Sequence, residues 1–390
     1  MPKPSPLRLK ILICGMLPPP YFGHSMVYEV LMASEFAEQH DITFLDMQFW
    51  SYAEHKQLTI TKLVKMLVYF MHYIYLIAAR RPKYVLYAIS FDVLPFWKDL
   101  LFCGVGILLG RRVILHDMGQ YAGELYDTAG PLRRPALSWL LAKVTGVLVL
   151  GRSQREIYTR LLPKAKILVG RAAVADSQRL FPVNNFPIES RPAQTVRVLS
   201  LAFVSVSKGI WTTMHALPAV IAKVPNAVFE FAGPFESETL QQELLAFVSA
   251  NNLEQHVTFT GYVSSALTRT RLYRSADVFL FPSNRDAFSL VLLHAIAEGL
   301  PVISTFEGAI PEIIEDGSTG CLVKKGDSAA SSSGVISRAP PERSKISRAS
   351  PSTAPITGTA HAIISNILEG MKVPNKGSCR SGTTQTSLAQ

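Results

Sequence analysis

Asp286 stands eight residues before His294, and Phe288, Ser289 and Leu290 lie between them where the strand-like run ADVFLFP gives way to a helix pattern. The opening amides of such a helix face the turn, and a helix N-terminus at the carboxyl end of a strand is an anion site. An acid in that turn either touches a ligand or caps the helix. His294, beside Leu292 and Leu293, is either a packed histidine or a ligand that offers one hydrogen bond. Upstream, VRVLSLAFVSVSKGIW places Lys208 just after another strand-like run, where an ammonium can meet a phosphate as a point charge. A lone lysine is more often a solvated surface group. In ILICGMLPPPYFGHSM, Gly23 sits between a strand and a helix, where it is either a plain turn glycine or the place where backbone approaches a phosphate. In RVILHDMGQY, His116 and Asp117 close a strand at the edge where α/β folds place ligands. Together these groups suit an anionic ligand.

The segments that must position them alternate. KILICG, DITFLD, KYVLYAI, RRVILHD and GVLVLG are short apolar runs separated by helical patterns, the first of which spans about 25–39. Such alternation predicts a parallel sheet with helices on both faces. Between about Val174 and Ala193 the pattern dissolves into Pro, Asn and Ser. It restarts with VRVLSLAFV, AVFEFAG, VTFTGYV, ADVFLFP and PVIST.

The order strand, PS, acid, Phe-x-Leu turn, GLPVI, IPEII and DGxxGxLV resembles the donor-binding segment of family 4 glycosyltransferases. The resemblance implies an α/β chain of GT-B architecture, with two Rossmann-like domains facing a central cleft. It divides the chain into an acceptor-side domain at 1–175, a linker at 176–195, a nucleotide-sugar-binding domain at 196–327 and a tail at 328–390. It further implies transfer of a sugar from a nucleotide-diphosphate sugar to a glycan or lipid-linked acceptor with retention of configuration, and no metal.

Within that family an E-x7-E motif lets the first acid touch the sugar, the amides after it hold the diphosphate, and the second acid bind the ribose. Asp286 takes the first place, Phe288, Ser289 and Leu290 supply the amides, and His294 takes the second. By the same resemblance Lys208 and Gly23 lie at the diphosphate, His116 lies near the sugar, and the loops carrying Gly233, Tyr262 and Val263 flank the base. Several positions depart from the pattern. His294 cannot chelate two hydroxyls as a carboxylate does, Phe203 stands where Arg is frequent, His24 replaces a second glycine, and GRAAVAD replaces the usual Asn-Gly at the domain junction. The family's closing helix, which crosses back to brace the first domain, has no evident counterpart. These departures leave a second expectation open, a silent GT-B-like protein that binds or scaffolds.

The net charge of +10 is not spread evenly, because beyond Asp327 seven Lys/Arg face only Glu342 and Glu369. The rest is mildly basic, which suits a donor phosphate or an anionic bilayer, and no nucleic-acid motif accompanies it. Cys14, Cys103, Cys321 and Cys379 are isolated, so neither a disulfide framework nor a metal site is expected. Ser, Ala, Pro and Arg dominate from Ser328 onward, a composition expected to stay disordered and one that a change of reading frame would also produce.

The opening MPKPSPLRLKILICGMLPPP imitates a signal peptide but stops at three prolines, and a buried first strand is the better reading. KLVKMLVYFMHYIYLIAARRPK is a helix pattern with basic ends, either a core helix or a surface for a lipid-linked acceptor or an anionic leaflet. Its apolar part, Met66 to Ala79, would reach only about 21 Å as a helix, short of the roughly 30 Å of hydrocarbon in a bilayer. That predicts a cytoplasmic protein with at most peripheral contact at the inner face of the membrane.

Overall fold

Strands buried on both faces must be apolar throughout, and the runs named above form two six-stranded, wholly parallel sheets. The computed structural model describes residues 8–21, 23–48, 59–90, 95–119, 122–162, 166–172 and 195–338. Most of the linker expected at 176–195, the tail beyond 338 and Cys379 lie outside the described residues.

The first sheet holds β1 (Lys10–Gly15), β2 (Asp41–Asp46), β3 (Tyr84–Ile89), β4 (Arg112–Asp117), β5 (Gly146–Val149) and β6 (Ile167–Val169) in the order β2-β1-β3-β4-β5-β6. The second holds β7 (Val196–Leu201), β8 (Ala227–Ala232), β9 (Val257–Gly261), β10 (Val278–Phe281), β11 (Val302–Thr305) and β12 (Gly320–Val323) in the order β12-β11-β10-β7-β8-β9. Strand order reverses between β1 and β3 in one sheet and between β7 and β10 in the other. At such switch points the crossovers leave in opposite directions and open a crevice at the strands' carboxyl ends.

The two crevices face each other. The loops after β1, β4, β5 and β6 meet those after β9, β10 and β11, and Phe288, Leu290 and Ala309 of the second domain pack in one apolar cluster with Ile13, Tyr28 and Leu150 of the first. The expectation of two Rossmann-like domains facing a cleft therefore holds.

Four elements differ from expectation. The helix expected near 25–39 is two helices, Gly23–Met32 and Glu35–Gln39, with Ser34 extended between them. β6 escaped notice because three residues are too few to show a pattern. The apolar helix is Ile60–Arg80, 21 residues capped by Thr59 and ended by Arg81 in the left-handed region, not the shorter Met66–Ala79 run. By length and composition it could cross a membrane, but its inner residues Tyr73, Leu76 and Ile77 are buried against the domain.

The second domain also runs past 327. Asp327 Oδ1 accepts from Ala330 N at 2.7 Å and starts the helix Ser328–Arg338. Its small residues let it pack closely, with Gly334 against Ile303 and Val335 fully buried. A low-complexity composition concealed this element because Ser, Ala and Gly give no hydrophobic period while still allowing close contact.

Candidate functional site

The site is built where β7 and β10 diverge. After β7 the chain makes a 3-10 turn, Val206–Lys208, in which Ser205 Oγ accepts from the Lys208 amide at 3.3 Å. Gly209 follows at φ +77°, and a Cβ there would lie 1.9 Å from the Pro282 carbonyl oxygen. Only glycine allows the two turns to touch. The turn after β10 is pinned to the first, because the amides of Asn284 and Arg285 both donate to the Ser207 carbonyl, at 2.9 and 3.1 Å. Thr305 Oγ1 fixes it from below through the Ser283 carbonyl at 2.5 Å.

This scaffold brings Lys208 and Asp286 together. Lys208 Nζ lies 2.8 Å from Asp286 Oδ2 and 3.3 Å from the Arg285 carbonyl, over the Phe281 ring. Both side chains are largely enclosed, so their attraction is screened less than that of a surface pair. Sequence reasoning gave these two residues separate duties; the structure makes them partners.

The helix Leu290–Ala297 begins just beyond, with Ser289 extended at its N-cap and making no side-chain capping bond. The Asp286 carboxylate is thus engaged by Lys208 rather than spent on capping this helix. Phe288 and Leu290 send their side chains into the first domain's apolar cluster, so the segment is anchored by side chains while its first-turn amides have no preceding turn to bond.

Facing this pair is the loop after β1. Gly23 opens its helix at the surface, and a Cβ there would meet nothing within 4 Å, so no protein neighbour requires glycine. His24, which the sequence marked only as standing where a second glycine is frequent, is exposed to the cleft. Desolvation by the surrounding walls and then the Lys208 ammonium push its pKa down, partly offset by a hydrogen bond with the Met118 backbone and the charge of Asp286. Those couplings place it across from the Lys208–Asp286 pair.

His116 ends β4 with its ring almost fully buried. Its Nδ1 hydrogen-bonds the Tyr28 hydroxyl at 3.0 Å, and the two rings meet edge-on. Burial, with a smaller contribution from His24, lowers its pKa to about 3, so the ring is neutral. Asp117 behind it accepts from Tyr158 Oη and Gly119 N, each at 2.9 Å, yet burial outweighs both bonds and raises its pKa to about 7.

The remaining residues line a second end of the cleft. Tyr262 Oη accepts from the Tyr21 amide at 3.0 Å, and the Arg269 guanidinium covers the Tyr21 ring at 4.6 Å while donating to the carbonyls of Val263 and Ser264. Gly233 serves packing. Its φ is +153°, and a Cβ would lie 1.8 Å from the Ala202 carbonyl oxygen, so it lets the loops after β7 and β8 touch. His294 stacks on Tyr273 with centroids 5.9 Å apart, and its Nε2 is buried with no hydrogen-bond partner. Burial, aided by the Arg269 charge, lowers its pKa to about 4.

Arg269 and Tyr21 were not foreseen. They are 248 positions apart and meet only when the domains face each other. Among the described residues no group of three or more His, Cys, Asp or Glu is gathered as metal ligands.

Residues 196–338 match the family described as glycosyl transferases group 1. The phosphatidyl-myo-inositol mannosyltransferase of Mycobacterium leprae is 32% identical over 130 residues, covering 33% of this chain and 33% of that protein. The amylovoran biosynthesis glycosyltransferase AmsK of Erwinia amylovora is 28% identical over 185 residues, covering 45% of this chain and 43% of that protein. The matched part of the chain thus spans about a third to a half of these relatives.

Among solved structures, Anabaena HepE in complex with UDP and glucose aligns with a TM-score of 0.65 at 14% identity, over 93% of this chain and 99% of that one. The sucrose-phosphate synthase of Thermosynechococcus elongatus aligns at 0.63 and 16% identity, over 93% and 96%. At such identities the likeness shows the fold. The molecule therefore has the GT-B fold of two Rossmann-like domains. Its second domain, residues 196–338, is the part that is similar to the glycosyl transferases group 1 family.

Proposed function

We propose that this protein is a retaining glycosyltransferase that moves a sugar from a nucleoside-diphosphate sugar to a glycan or lipid-linked acceptor, working at the cytoplasmic face of a membrane without a metal ion. The observation that carries the reading is the Lys208–Asp286 pair, 2.8 Å apart at the second sheet's switch point, beside the start of the Leu290–Ala297 helix. A diphosphate entering there exchanges one partner for another. The ammonium turns to the phosphate oxygens, and the Asp286 carboxylate is released to accept from sugar hydroxyls.

First-turn amides and Lys208 stabilise the nucleoside diphosphate as the C1–O bond breaks and its electrons leave with the phosphate oxygen. The acceptor hydroxyl forms its new bond on the same face, its proton passing to the departing phosphate. His116, neutral with a pKa of about 3, is a poor base and serves as a hydrogen-bonding wall for the sugar. The Tyr262–Val263 loop and Arg269 border the base. That HepE was solved with UDP and glucose supports a donor of this class.

One observation favours a silent GT-B-like binding protein instead. His294, at the ribose position, is stacked on Tyr273 with an unpartnered Nε2. Thermal-shift titration with UDP, GDP and ADP separates the two. One nucleotide is expected to stabilise the chain by about 2–3 kcal/mol at a hundredfold excess over its Kd, and Lys208→Ala to remove most of that response. Silence from the parent chain together with a response from His294→Glu would leave the silent reading standing.

A further inference from the structure

The helix Ile60–Arg80 is apolar on both faces, which is unusual for a helix at a protein surface. Its inner face is accounted for by the domain core. Its outer face is not: Val64, Leu67, Val68, Met71 and Tyr75 recur at helical spacing and stand 56–65% exposed. The stripe continues onto the neighbouring helix Pro95–Leu108, against which the first helix packs through Phe70 and Tyr73 on Phe102, with ring centroids 5.2 Å apart.

On that helix Trp97 and Leu101 are also exposed, and they border a shallow apolar groove of about 500 Å³ closed on its other side by Trp139. Surfaces of this size on a soluble domain mark an interaction site. Tryptophans at its margin suit an interface that is apolar on one side and wet on the other.

Charge identifies what covers it. Between Thr59 and Arg112 the chain carries eight Lys/Arg against only Asp92 and Asp99. Of the basic residues, Lys62 and Lys65 stand at one end of the long helix, and Arg80, Arg81 and Lys83 at the other. A protein partner of ordinary composition has no need of such an excess. An anionic leaflet meets it, since each cation near such a surface adds attraction while the apolar stripe enters the boundary between headgroups and acyl chains.

We propose that this outer face, formed by the helices Ile60–Arg80, Pro95–Leu108 and Arg133–Lys143, is an in-plane docking surface for an anionic bilayer, with the groove between Trp97 and Trp139 admitting an acyl chain. The proposal rests on the transferase reading and names the surface on which it works. In a parallel sheet the first two helices begin at the carboxyl edge of their strands, which is the cleft edge. Ile60 and Trp97 therefore lie toward the cleft, so a bilayer against this face brings membrane-borne acceptors to the cleft mouth.

The test is co-sedimentation of the full chain with phosphatidylcholine vesicles with and without phosphatidylglycerol, repeated in raised salt. Alongside it, Trp97 and Trp139 fluorescence is quenched by brominated acyl chains in a chain whose Trp50 and Trp211 are Phe. Binding is expected only with phosphatidylglycerol, weakened by salt and reduced at least tenfold by Leu67→Glu with Met71→Glu. Both residues are exposed, so the melting temperature should not move. Absence of vesicle binding, binding that survives the double substitution, or a dimer that the double substitution dissolves would each overturn the proposal. Nucleotide stabilisation is read without vesicles, so a chain that responds to UDP and ignores membranes sinks this inference and the membrane setting of the proposed function but leaves sugar transfer standing, and one that docks without responding to nucleotides sinks only the transferase reading.

Discussion

Asp117 and the buried histidines His116 and His294 pull stability in opposite directions as pH changes. Each histidine has its folded pKa lowered by burial, to about 3 and about 4, so near pH 5 the unfolded chain holds more protons and stability rises with pH. Asp117 has its folded pKa raised to about 7. Below the unfolded value its protonated form adds stability, and that contribution is lost as pH rises through 7. Only a difference isolates it. Asn imitates the protonated acid, keeping an acceptor for Gly119 and a partner for Tyr158, so Asp117→Asn should gain on the parent by up to about 4 kcal/mol between pH 4 and 7. Equilibrium unfolding at several pH values checks this, and parallel curves for the two chains would refute it. Asp117 follows His116 in the sequence, but nothing in RVILHDMGQY says that Tyr158 and Gly119 enclose it. Lys208, Asp286 and the Phe288–Leu290 turn were legible because a fixed order of strands and turns sets their places. Their pairing, and the approach of His24, Tyr21 and Arg269, required two sheets to meet.

At the scale of elements, two glycines that look alike in the sequence behave differently. Gly209 has φ +77° and a Cβ site 1.9 Å from a carbonyl oxygen of a turn that cannot retreat, being bonded to Ser207 on one side and Thr305 on the other. Gly209→Ala should cost on the order of 2–4 kcal/mol of stability and displace Lys208. Gly23→Ala should leave stability within about 0.5 kcal/mol, because its Cβ meets no atom within 4 Å. If Gly23→Ala nonetheless weakens nucleotide binding, its glycine serves a ligand and not the fold. Thermal unfolding with and without UDP distinguishes these outcomes, and an undisturbed Gly209→Ala protein would mean that the turn pair is softer than its geometry implies. Strands were legible because a doubly covered strand must be apolar from end to end. The helix Ser328–Arg338 was not, since its packing depends on small residues that carry no period, as Gly334 against Ile303 does.

The whole molecule is held in its facing arrangement by contacts of two kinds. At the rim Arg285 pairs with Glu124, Glu312 accepts from the Arg152 amide at 2.5 Å and pairs with Arg171, and Tyr21 meets Tyr262 and Arg269. Exposed pairs of this sort contribute little each. Beneath them Phe288, Leu290 and Ala309 enter the first domain's cluster, and there Gly151 is the point of closest approach: a Cβ on it would lie 2.4 Å from Ala309 Cβ. Its backbone is extended, with φ −141°, so alanine fits the first domain itself without strain. The added methyl must therefore be accommodated between the domains. Gly151→Ala should hold the two domains apart while each keeps its own core, giving a larger radius of gyration by small-angle scattering with little change in melting temperature. The proposed donor site draws on Lys208 and Asp286 in one domain and on His24 and His116 in the other, so on that proposal a cleft propped open loses the first domain's share of it. UDP affinity should fall about tenfold, near 1.4 kcal/mol. Saturating UDP should partly restore the smaller radius if the ligand draws the domains together. An unchanged radius with unchanged affinity would show that Ala309 yields to the methyl and that the domain contact is set elsewhere.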